Sequence, residues 1–275
     1  MSGQPSYADL GRPPLPARRL RGAVLRTPPW RELHVLNEVT STSDVVAAAA
    51  RAGEPEGLVV VAEAQSGGRG RLGRHWVSPP RAGLTLSVLL RPTVPADQWP
   101  TLPLLAGLAT STALRERTGL DVVLKWPNDL LVEGRKLGGI LAEAPGGAVV
   151  VGIGVNVTTS AAELPGPEAT SVALEDAGDG SADRVPLLLA ILRELGPRYL
   201  DWSADGGVAA TLAAYRERCD TVGREVRVSL PGGAYLRGVA TGVDEVGRLV
   251  VCRDDGSEIS VSAGDVVHVR PAASD

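Results

Sequence analysis

Between two apolar runs, Leu58 to Ala64 and Leu84 to Leu90, lies a segment that no core can hold: Gly67-Gly68-Arg69-Gly70-Arg71-Leu72-Gly73-Arg74-His75-Trp76. The flanking runs read as buried strands, so this segment must leave the sheet as a loop. Its four glycines let the backbone bend and approach a ligand closely, and its arginines give it positive charge. The physical reading is a mobile loop that folds over something anionic and is ordered by it. The plainer reading is a solvated turn. Gly68 to Gly73 literally match the dinucleotide pattern G-x-G-x-x-G, but that pattern must open a helix. Pro79-Pro80 forbid a long helix here. Arg-Gly runs that bind RNA are usually long disordered tracts, not one short insert between strands.

The rest of the chain mixes hairpins with helices. Trp30 to Val39 reads as a strand, Val45 to Arg51 as an alanine-rich helix, and Trp99 to Thr118 as a long helix. Asp121 to Trp126 is a strand, Pro127-Asn128-Asp129 a turn, and Leu130 to Val132 extended again. Glu133-Gly134-Arg135 turns a hairpin that returns as Lys136 to Ala144, and Gly147 to Val157 is a further buried strand. Pro186 to Trp202 and Gly207 to Asp220 read as helices. This order predicts an α+β fold, a mixed sheet packed with helices, and not a doubly wound one. From Val222 the texture changes to short alternating runs separated by turn signals such as Pro231-Gly232-Gly233 and Asp254-Asp255-Gly256. That pattern predicts a small β-barrel of SH3-like size. The expected domains are a flexible Pro/Arg-rich arm over 1–29, a catalytic domain over 30–221 and the barrel over 222–270. The arm is proline-broken and too short for a helix-turn-helix domain.

Bulk properties exclude several classes. A net charge of −4 gives no global basic footprint for nucleic acid or an anionic membrane. No apolar run approaches the length of a membrane span, and Met1 to Leu10 lack the apolar segment of a secretory signal. Cys219 and Cys252 have no metal-type spacing, which leaves free thiols in a reducing cytoplasm. Composition also singles out two residues. The chain has two lysines, Lys125 and Lys136, against 26 arginines. Under such a bias a surviving lysine marks a place that needs a compact point charge and not a planar fork.

Around the loop, the residues with chemistry are Ser41, Thr42, Gln65, Arg69, Arg71, Lys125, Asn128, Asp129 and Lys136. Thr40 to Ser43 put four hydroxyls before a helix where a cap needs one. Cations suit a phosphate or a carboxylate; hydroxyls and amides suit a neutral polar ligand. There is no P-loop, no G-x-S-x-G, no H-E-x-x-H and no C-x-x-C. What remains neutralises charge and positions reactants without an obvious nucleophile. Formation of an acyl-adenylate fits such a site. Each member also has a plainer reading: Trp126 to Asp129 as a tight turn, Lys136 as a solvated hairpin residue, Gly138-Gly139 as close strand packing, Asn156 as a strand-end turn residue.

Taken together these motifs resemble the bacterial biotin–protein ligases. Gly68 to Trp76 is similar to that family's signature loop, Lys125-Trp126-Pro127-Asn128-Asp129-Leu130 to its second motif, and Lys136-Leu137-Gly138-Gly139-Ile140-Leu141 to its third. Ser41-Thr42-Ser43 is similar to its serine–threonine segment, with Ser43 where asparagine is common, and Gly152-Ile153-Gly154-Val155-Asn156 to a strand closing its catalytic core. The motifs occur in family order over most of residues 38 to 157. The resemblance implies a class II synthetase-like catalytic domain with a small C-terminal domain. It also implies an ATP-dependent ligase that makes biotinyl-AMP and passes biotin to a lysine of a biotin carboxyl carrier domain of acyl-CoA carboxylases. Ser41, Thr42, Ser43 and Gln65 would hold the ureido ring. Trp76, Gly138 and Gly139 would wall the bicycle and tail. Arg69, Gly70 and Arg71 would close over the intermediate, and Lys136 would bridge carboxylate and α-phosphate. With Arg71, the ATP side would use Lys125, Trp126, Asn128, Asp129 and Asn156, with Asp129 a Mg²⁺ contact. The type implied is the one without an N-terminal DNA-binding domain, so no operator binding is expected. The oligomeric state stays open between monomer and weak homodimer. Two alternatives stand beside this reading: a lipoate–protein ligase, whose apolar ring would not need Ser41, Thr42 and Gln65, and a non-enzymatic nucleic-acid or adaptor protein.

Overall fold

A computed structural model describes residues 11–268 apart from Asp176, Asp179, Pro231, Gly232 and Ala263. Seven strands form one mixed sheet: β1 (Glu32–Leu36), β2 (Leu58–Ala62), β3 (Gly83–Leu90), β4 (Val123–Lys125), β5 (Asp129–Val132), β6 (Arg135–Glu143) and β7 (Val149–Asn156), in the order β1-β2-β3-β7-β6-β5-β4. β1 and β2 are parallel because the helix between them, α2 (Thr42–Arg51), crosses back over the sheet; every other neighbouring pair is antiparallel. The expected hairpin turns on Glu133 and Gly134, both at positive φ (49° and 74°), the geometry of a tight two-residue turn.

The two sheet faces differ, and that difference places the site. Side chains alternate along a strand. Leu84, Leu86, Val88, Ile140, Val151, Ile153 and Val155 point into the main core, beneath α3 (Leu102–Thr118) and α4 (Arg184–Trp202). Val60, Leu89 and Val150 point the other way, against Val46, Ala47 and Ala50 of α2. Along that second face the strands then change character: Thr85, Ser87, Gly139, Gly152 and Gly154 occupy the alternating positions. Small residues there leave a hollow beside the N-terminus of α2.

The arm departs from expectation. Ala17–Val24 form a helix, α1, against β1 and α4. Leu15, Leu20 and Val24 are buried in the main core while Arg18, Arg19 and Arg21 are exposed. The apolar stripe at Leu20 and Val24, one turn apart, outweighs the Pro/Arg composition that suggested an extended arm. Upstream, Arg12 pairs with Glu163, holding that carboxyl down at about 2. The Leu15 N–H donates to Glu63 Oε1, and Arg184 reaches both Glu63 Oε2 and the Pro13 carbonyl. Residues 1–10 of the expected arm lie outside the described residues. The first strand is also shorter than expected: Trp30 is core, its Nε1 donating to the Leu192 carbonyl.

After α5 (Gly207–Arg218) come β8 (Glu225–Ser229), β9 (Tyr235–Val243), β10 (Leu249–Cys252), β11 (Glu258–Val261) and β12 (Asp265–His268). They make an antiparallel five-stranded sheet in the order β11-β10-β9-β8-β12, the strand set expected of the small barrel. It is tied to the larger sheet at Trp126, whose Nε1 donates to the Gly247 carbonyl and whose backbone N–H donates to Thr221 Oγ1.

Candidate active site

The hollow is a cavity of about 120 Å³ bordered by Ser41, Thr42, Ser43, Gln65, Arg69, Gly70, Arg71, Trp76, Asn128, Asp129, Lys136 and Gly139, among others. Residues far apart in sequence are thus brought together from α2, the loop after β2, the β4–β5 turn and β6.

At the polar end, Ser41 occupies the N-cap position of α2 but its hydroxyl makes no cap. Gln65 does the capping: its Oε1 accepts from the Thr42 N–H at 2.7 Å and from Thr42 Oγ1 at 3.0 Å. With Gln65 accepting from the Thr42 N–H, the Ser41 hydroxyl is not used as a cap, and buried Ser41 is left to face the cavity. Ser87 on β3 was not foreseen. Its hydroxyl lies 2.8 Å from Thr42 Oγ1 and 3.1 Å from Ser43 Oγ, fixing both. The signal was present as Thr85 and Ser87, two hydroxyls sharing one face of an otherwise apolar strand.

Trp76 forms a wall. It lies over Gly154, where a Cβ would come within 2.6 Å of the indole; a Cβ at Gly152 would meet Ser43 Oγ at 2.8 Å. No larger residue fits at either place with these neighbours in position. The indole Nε1 is buried with no hydrogen-bond partner, a donor still to be satisfied.

At the charged end, Lys136 Nζ lies 2.6 Å from Asp129 Oδ1. That oxygen has no well-directed hydrogen bond, so the contact is an ion pair. Among the described residues bordering this cavity, Asp129 is the only carboxylate. Arg71 Nη1 donates to Asn128 Oδ1 at 3.3 Å, and Asn128 Nδ2 to the Ile140 carbonyl at 3.1 Å. The loop itself is closed by the Trp76 N–H to the Gly68 carbonyl and the Gly70 N–H to the Arg74 carbonyl. Arg69 borders the cavity, and its guanidinium is held by Asp44 and Glu143.

Four expected residues are not at the cavity. Gly138 packs under the Gly154 carbonyl, where a Cβ would come within 2.6 Å, the strand-packing role. Asn156 is buried and its Nδ2 holds the Thr170 carbonyl. Lys125 lies near His268 of the smaller sheet. There burial, and then the Lys125 charge, pull His268 down to about 4. Trp126 is core, and borders a second cavity of about 520 Å³ with Trp99, Pro103 and Arg248. This cavity adjoins the first through Arg71, Asn128, Ile140 and Leu141. Among the described residues no cluster of three or more His, Cys, Asp or Glu could hold a metal.

The chain is similar to known proteins over most of its length. Residues 36–160 match the Biotin/lipoate A/B protein ligase family, and residues 221–269 match the Biotin protein ligase C terminal domain. A Biotin--[acetyl-CoA-carboxylase] ligase of Mycobacterium tuberculosis is 43% identical over 270 residues, covering 95% of this chain and 98% of the relative. The Bifunctional ligase/repressor BirA of Escherichia coli is 32% identical over 76% of this chain and 68% of its own length. Among solved structures, the biotin protein ligase from Aquifex aeolicus in complex with biotin and ATP superposes with a TM-score of 0.73 at 29% identity, covering 88% of this chain and 100% of that one. By fold, by both domain matches and by identity along nearly its whole length, the chain belongs to the biotin protein ligase family.

Proposed function

We infer that the protein is an ATP-dependent biotin–protein ligase. It joins biotin to AMP and then passes the biotinyl group to a lysine of a carrier domain. The observation that carries this is the cavity's polarity: hydroxyls and Gln65 at one end, an indole wall between, Lys136, Arg71 and Asn128 at the other. Biotin has a neutral polar ring, an apolar body and a carboxylate in that order. Lipoate has no polar ring, so Ser41, Thr42 and Gln65 would face an apolar group; the relatives' names weigh the same way.

In the first step a biotin carboxylate oxygen attacks the α-phosphorus of ATP and pyrophosphate leaves. Lys136 sits where it can neutralise the carboxylate and the phosphate oxygens as charge develops between them. Arg71, positioned by Asn128, is the second cation. Lys125 ends the strand that leads into the Trp126–Asp129 turn, and its charge would serve the ATP side. ATP brings Mg²⁺, which keeps most of its waters and needs only one or two protein carboxylates; Asp129 suits that role, and the ion would screen the phosphate charge. In the second step the acceptor amine attacks the acyl carbon, AMP leaves and a proton is released. The second cavity, opening at Arg71 and Asn128, gives that amine a route. We place the enzyme in the cytoplasm. Its cysteines are unpaired, and no helix among the described residues could cross a membrane. No operator binding is proposed.

The test is transfer. With biotin and Mg-ATP, a carrier domain should gain one biotin, and the same domain with its target lysine changed to arginine should gain none. Modification of both carriers alike, or of neither, would remove the acceptor assignment. A second check concerns the wall. Gly154→Ala would push Trp76 out of place, an overpacking cost of about 1–3 kcal/mol, so biotin should bind roughly 5- to 150-fold more weakly by calorimetry. Native affinity would show that Trp76 does not contact biotin.

A further inference from the structure

Arg69 Nη2 lies 2.8 Å from Asp44 Oδ1 and 2.7 Å from Glu143 Oε2. Asp44 is in the first turn of α2, beside Thr42 and Ser43. Glu143 ends β6, the strand that carries Lys136 and Gly139. One loop cation thus joins the two opposite walls of the cavity. At the loop's apex Leu72 is 64% exposed, with φ at 56°. A bulky residue disfavours that backbone region, so the closed loop carries a strain that contacts elsewhere must offset.

We propose that Asp44 and Glu143 are positioning residues that hold the loop shut through Arg69, and so set how long biotinyl-AMP stays in the site. The proposal rests on the adenylate chemistry above. The strength of the pairs suits this role. All three side chains are between 34% and 49% exposed, and exposed ion pairs are individually weak and screened by salt. A lid held this way closes over a reactive intermediate yet opens for each turnover. A buried clamp would not open fast enough. Neither carboxylate reaches the reacting groups, so removing them should leave adenylation itself intact.

The experiment compares the native chain with Asp44→Asn/Glu143→Gln in two readouts. The first is the rate at which biotinyl-AMP appears free in solution. The double variant should release it about 3- to 30-fold faster. Release from the native chain should rise with salt, whereas release from the variant should barely change. The second readout needs no ligand: limited trypsin cutting after Arg71 and Arg74. It should be faster in the variant at low salt, with the two converging at high salt. Equal release rates with equal salt slopes would overturn the proposal. A native chain that makes no biotinyl-AMP would overturn the chemical reading, and with it the retention role. The trypsin pattern would then report separately whether Asp44 and Glu143 close the loop. Unchanged thermal melting of the variant excludes loss of fold as the cause of faster release.

Discussion

Lys136→Arg is expected to form biotinyl-AMP about a hundredfold more slowly than the native chain, the scale seen when one preorganised charge-stabilising group is lost. The fold should be unchanged, because Lys136 is about one-third exposed and carries no core packing. The charge is kept, so the effect tests geometry. The ammonium is a compact point charge 2.6 Å from Asp129, and its Cε and Nζ run 3.5–3.6 Å from where a Cβ on Gly139 would stand. A guanidinium is wider, and its planar fork cannot turn to two partners as an ammonium does. In a chain with 26 arginines and two lysines, this is where the substitution would be most available and least tolerated. Pyrophosphate release in a single turnover measures it. A native rate would remove Lys136 from the first step.

The largest effect on stability is expected at Arg184. Its side chain and that of Glu63 are 5% and 6% exposed and 2.6 Å apart. Arg184→Met would leave Glu63 buried and uncompensated, at a cost of about 3–5 kcal/mol. Glu63→Gln/Arg184→Met removes both charges and should be more stable than Arg184→Met alone, since a neutral amide can still accept from the Leu15 N–H. Urea unfolding of the single and double variants reads the difference. A loss below about 1 kcal/mol in Arg184→Met would mean that water reaches Glu63. The pair matters to the site because Glu63 lies two residues before Gln65. It pins residues 13–15 under the strand that delivers the loop.

Much of the site was legible in the sequence because its physics is local. Glycines beside arginines after a buried strand can only be a loop. Four hydroxyls at a helix start exceed what a cap needs. Two lysines in an arginine-rich chain mark themselves. The main sheet and the five short C-terminal strands followed from periodicity in the same way. What was missed is set by tertiary register. Ser87 became important only when β3 placed it against α2. Lys125 and Lys136 look alike on the page, yet only Lys136 borders the cavity. The Arg69 contact to Glu143 spans 74 residues, and no local pattern encodes it. α1 was hidden by composition. Its stripe of Leu20 and Val24 is too short to register against the surrounding prolines and arginines, and it becomes a helix because α4 and β1 offer it a face to cover.

The central claim is that the cavity activates biotin on ATP. The most direct measurement is mass spectrometry of the protein incubated with Mg-ATP and, in parallel, biotin or lipoate. Biotinyl-AMP with biotin and no adduct with lipoate is the predicted result. Lipoyl-AMP alone would contradict it, returning Ser41, Thr42 and Gln65 to the capping of α2 and the Gly/Arg loop to some other acid.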